Sequence, residues 1–120
     1  MSSSDFVVLP VSVSVPTGKV VVINKQNSFE PISASTAKMP LERYISIGSA
    51  LNHLAAARSG LVLARVINPD TKEGDPLVAS QSTLGYLEKS QGSEGIIAVS
   101  RSGVLGPAER ESSFVEVELI

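Results

Sequence analysis

The sequence has no cysteine and no tryptophan, one histidine, and 4% aromatic residues. The missing cysteine excludes a disulfide framework, thiol catalysis and thiolate-bound metal. So few aromatics leave little for stacking on bases or sugars. Charge of one sign is also missing as a run. The ten Lys and Arg residues are scattered, no two adjacent, against twelve Asp and Glu, for a net charge of −2. Counterion release at a phosphate backbone wants clustered cations, so no nucleic-acid partner is expected. No apolar run approaches the roughly 20 residues of a membrane span, and residues 1–5 lack a basic leader, so no membrane partner is expected either.

What remains is aliphatic and rich in serine: 19 Ser and 15 Val in 120 residues, 42% hydrophobic and 18% charged. That is enough apolar mass for a single domain spanning 1–120, with 1–5 a flexible lead-in. Residues 6–15 read as a strand with Val11, Val13 and Val15 on one face. Pro10 lacks a ladder donor and places that strand at an edge or kinks it. A turn at Pro16, Thr17 and Gly18 leads to a second strand over 19–25, expected to form a hairpin with the first. Its run Val20, Val21, Val22 and Ile23 predicts burial on both faces. Residues 26–38 read as a long exposed loop.

Residues 40–59 are predicted to form the main helix. Pro40 suits the first turn. Leu41, Tyr44, Ile45, Gly48, Leu51, Leu54 and Ala55 fall at three- and four-residue steps, and Gly60 supplies a cap. Strands are expected over 61–67, 76–81, 95–101 and 113–120, and one or two helical turns within 82–89. The expected class is therefore α+β: a mixed sheet of about five to six strands with one helix on one face.

No motif names a reaction. His53 lies off the apolar stripe without positioned partners. No serine sits on a strand-to-helix elbow. The glycines near 92–95 and 103–106 precede no helix that would hold a phosphate. Asp70, Glu73 and Asp75, with Lys72 among them, fall short of a calcium loop. Glu116 and Glu118 alternate as the wet face of a strand. Catalytic, cofactor and metal residues are accordingly none, and the chain is not expected to be an enzyme. Arg65 interrupts the apolar strand LVLARVI and calls for an ion pair, with Glu42 or Asp70 as partner, or a subunit interface.

The segment ISIGSALNHLAAARSGLVLARVINPD, residues 45–70, resembles part of the sheath proteins of contractile-tailed phages. Ser49-Ala50-Leu51-Asn52-His53-Leu54 matches that family's helix element. Residues 60–68 match its strand element ending in Arg-Val-Ile-Asn. The resemblance implies a structural role: a tail-sheath-like, neck or head-decoration protein, assembled in the host cytoplasm into a virion through contacts with itself and other virion proteins. It covers about a fifth of the chain, and sheath proteins are several times longer.

The terminal segments also read as exposed edge strands, open to pairing with a neighbouring chain, and the last of them, 113–120, is open to exchange between subunits. The expected interface residues are Phe6, Phe29, Arg65, Phe114, Val115, Val117, Leu119 and Ile120. The rival reading is a small cytoplasmic ligand-binding or enzymatic domain using His53, Arg65 and Glu94.

Overall fold

The computed structural model describes residues 6–11, 14–39, 42–50, 52–58, 62–92, 95–104 and 113–120. They form ten strands and one 3-10 turn: β1 (Phe6–Pro10), β2 (Val20–Ile23), β3 (Phe29–Pro31), the turn at Thr36–Lys38, β4 (Arg43–Ala50), β5 (His53–Ala57), β6 (Val62–Val66), β7 (Pro76–Ala79), β8 (Leu87–Lys89), β9 (Ile96–Ser100) and β10 (Ser113–Leu119). The class is β, not α+β, and the described residues contain no α-helix.

The strands divide into two units. One is a five-stranded antiparallel sheet in the order β1-β5-β4-β2-β3. The other is a closed barrel in the order β10-β6-β8-β7-β9, in which β6 and β8 are the parallel pair. A bridge between Val11 and Phe29 draws the two ends of the first sheet together. The first sheet thus curls around its own core of Val15, Val21, Phe29, Tyr44, Leu54 and Ala56, with Val7, Leu9, Val11 and Ile23 packed against it. Phe29 and Tyr44 meet edge to face there, 5.5 Å between centroids. That geometry suits the ring quadrupoles.

The second core fills the barrel with Ala64, Val66, Leu77, Ala79, Leu87, Ile97, Ala98, Val115 and Val117, and also includes Val20, Val22, Ile32 and Ile45 from the first unit. The valine run in β2 is therefore buried on both faces, as expected: Val20 and Val22 face one core and Val21 the other. Backbone bonds join the units directly. Val20 N–H donates to the Gly85 carbonyl (2.8 Å), Gly85 N–H to that of Ile32 (2.9 Å), and Arg65 N–H to that of Gly18 (2.8 Å).

The predicted helix over 40–59 is instead the β4–β5 hairpin, registered Ile45 to Ala57, Ser46 to Ala56 and Ser49 to Leu54, with a bulge between Ser46 and Gly48. The reason lies in the same residues. Leu54 and Ala56 satisfy a period of two as well as they serve a helical stripe. Ile45 and Ile47 are β-branched, and Ser46, Gly48 and Ser49 are weak helix formers. Pro40, Leu41, Leu51 and Gly60 of the predicted helix lie outside the described residues.

Other expectations are corrected too. The strand from Phe6 pairs with β5 rather than with β2. The predicted loop 26–38 contains β3 and the 3-10 turn, because Asn24 and Ser28 close a tight turn: the Asn24 side-chain oxygen accepts from the N–H groups of Gln26 and Ser28, and Asn27 takes φ 59°. Residues 82–89 form a turn and β8 instead of helix. The final strand has β6 on one side and β9 on the other, so it is not an edge. The lead-in 1–5 lies outside the described residues.

Candidate functional site

The eight expected interface residues are spread over three environments. Phe29, Val115 and Val117 are fully buried in the two cores, so their side chains are not available for contact with another subunit in this fold. Arg65, Phe114 and Leu119 are half-buried on the barrel. Phe6 and Ile120 are exposed, at 62% and 73%.

Arg65 and Phe114 stand opposite each other in the β6–β10 register, with the guanidinium 4.7 Å from the ring centroid. The Arg65 Nε–H donates to the Thr17 carbonyl at 2.8 Å. A guanidinium held over a ring face and tied to a carbonyl is well served without leaving the surface. The carboxylates expected as its partners are engaged elsewhere. Glu42 lies 3.9 Å from Arg58 and accepts the Tyr44 hydroxyl at 2.7 Å. Asp70 lies 3.4 Å from Lys89. The arginine therefore pins the 16–18 turn to the barrel.

The acidic loop is organised by the same Lys89, which also lies 3.9 Å from Asp75, while Asp75 accepts the Lys72 backbone N–H at 2.8 Å. Among the described residues, no group of three or more His, Asp or Glu side chains converges as a metal site. His53 is exposed on β5, on a different sheet from Arg65, and Glu94 lies outside the described residues. A groove of about 630 Å³ is lined by Ala34, Ala37, Lys38, Val78, Ala79, Gln81 and Gly95. Among the described residues Lys38 is the ionisable group in that lining, and those residues by themselves form neither an acid–base pair nor a nucleophile with a base.

The feature that stands apart is β1. In the β1–β5 register Phe6 is opposite Ala57, Val8 opposite Ala55 and Pro10 opposite His53. Side chains opposed across an antiparallel pair share a face, so Phe6, Val8, Ala55 and Ala57 lie on the outer side of the sheet. Ala57 continues to Ile45 and Val20 in the same row, and those three are buried. Toward β1 the cover ends: Phe6 and Val8 are 62% and 53% exposed, and a Cβ added at Gly48, opposite Ala55, would meet nothing within 4 Å. The row Phe6–Ala57–Ile45–Val20 on the outer face is thus apolar throughout, covered at β2 and bare at β1. Its Phe6 was legible as an aromatic at the start of an expected strand. Val8 lies in an unbroken apolar run that gives no face, and Ala55 was hidden by the helical reading of 40–59.

No helix among the described residues is long and apolar enough to cross a membrane. No family model matches the chain, and no curated protein matches it.

Proposed function

We propose that this chain is a non-enzymatic structural subunit of a phage particle, acting through symmetric contacts with copies of itself and with other virion proteins. The observation that carries the self-associating part is the bare apolar row of Phe6 and Val8, continuous with the buried face of the same sheet. Large exposed apolar side chains grouped on one strand mark interaction surfaces. The virion setting comes from the phage-sheath resemblance. Its strand element coincides with β6, whereas its helix element falls on the β4–β5 hairpin. We therefore favour a small β-barrel subunit of the neck or head surface over a tail-sheath role. The rival ligand-binding reading has less support, since His53 and Arg65 sit on different sheets.

Native mass spectrometry and electron microscopy of the purified full chain test this reading. A single oligomer of fixed copy number is expected. A chain that stays monomeric at the highest attainable concentration overturns it.

A further inference from the structure

The side-chain surface of β1 has a backbone counterpart. Val11 N–H donates to the Asn52 carbonyl at 2.9 Å, which fixes the parity of the β1–β5 ladder. In an antiparallel pair, residues alternate between exchanging both bonds with the neighbour and pointing both groups away. Val7 and Leu9 share the parity of Val11 and bond to β5. Phe6 and Val8 then direct N–H and C=O to the free side of the strand, and Pro10 directs only a C=O there. Pro10 withholds no bond from its own sheet.

No other described edge is open. The barrel closes on itself. β3 is approached by Val11 through the Val11–Phe29 bridge, and Pro31 removes a donor from that edge. Residues 6–9 are the open stretch, and they carry no charge, bulge or lysine of the kind that blunts edges. With β1 the one open edge among the described residues, two copies that meet strand to strand along it share the same edge and are related by a two-fold axis.

We propose that residues 6–9 form a two-fold contact between copies of this chain, β1 pairing antiparallel with β1 so that Val7 lies on the axis and Phe6 is opposite the partner's Val8. Pro10 selects this register. Centring the pair on Val8 would set Phe6 against a proline and leave its carbonyl without a donor. Centring it on Val7 lets every outward N–H and C=O of Phe6 and Val8 find its complement. The same register stacks an aromatic against a β-branched side chain on the exposed face twice, once on each side of the axis. Because the strand is uncharged, two copies meet without repulsion.

This contact rests on the self-associating reading above, and the test separates the two. Val8→Pro deletes an outward N–H without touching a bond to β5, and Val8→Lys places a charge in the joint. Sedimentation of both variants should show loss of the two-fold contact, with an unchanged far-ultraviolet spectrum. Because the chain has no cysteine, the register can be read by oxidation. A mixture of Phe6→Cys and Val8→Cys should give disulfide-linked heterodimers, whereas either variant alone should not, since like positions then lie diagonally, beyond disulfide reach. Oligomers that survive Val8→Lys, or Val8→Cys bridging to itself as readily as to Phe6→Cys, overturn the pairing and leave self-assembly standing. A wild-type chain that is monomeric overturns both.

Discussion

Gly18 shows how one residue can set a joint between two sheets. It adopts φ 92°, and a Cβ there would lie 2.9 Å from the Phe114 ring and 3.2 Å from Arg65 Cγ. Gly18→Ala should cost about 1–3 kcal/mol, read as a lower denaturant midpoint, because both the backbone conformation and the space exclude it. Tyr44 gives a pH prediction. Burial, then the hydrogen bond to Glu42 and its charge, hold the phenol above its usual 10.0, against the opposing pull of Arg58. A pKa raised on folding means that the native state keeps its proton longer. The associated stability is intact below pH 10.0 and is lost as pH rises through the folded value. Tyr44→Phe should flatten that alkaline decline relative to wild type in midpoints measured across pH, at a neutral-pH cost of about 0.5–1.5 kcal/mol for the lost hydrogen bond. At this scale the sequence was partly transparent. Arg65 announced itself as a charge needing a partner, but spacing could not point to the Thr17 carbonyl and the Phe114 ring that engage it. Phe29 was expected at an interface within the loop 26–38; the Asn24–Ser28 turn, whose first two residues read as strand, returns the chain as β3 and buries it.

Among the elements, the strands with the cleanest alternation or the longest apolar runs were legible: β2, β6, β9 and β10 lie within a residue or two of where patterning put them. Pairing was not, because alternation gives a face and not a neighbour. The helix read into 40–59 shows the limit most clearly. A stretch whose small and apolar residues satisfy both 3.6 and 2.0 periods is decided by what it packs against. Here two cores lie on opposite sides of one sheet and both draw on β4: Tyr44 enters one and Ile45 the other. Pro10 offers a test of β1 as an element. Pro10→Ala should lower stability by no more than about 0.4–1 kcal/mol, through greater freedom of the unfolded chain. Leu9→Pro, which removes an N–H directed at β5, should cost more than that. Thermal unfolding of the pair distinguishes a bonded side of the strand from an open one.

Across the whole molecule, the two cores share β2 and are laced by the bonds around Gly18 and Gly85. They should unfold together. Leu54→Ala in one core and Leu77→Ala in the other should each cost about 2–5 kcal/mol, and fluorescence and circular dichroism should report one coincident transition for both. Separate transitions would show that the two units are thermodynamically independent. The placement of the first and last strands has a mechanical consequence. β1 is held by β5 along one side, whereas β10 is gripped on both sides by β6 and β9. Tension applied between the two ends of the described chain therefore loads a weak clamp and a strong one in series. β1 yields first and absorbs the extension while the barrel stays shut. A second copy bound along the free side of β1 would double its grip, so assembly would harden the subunit at the one place where the isolated chain tears.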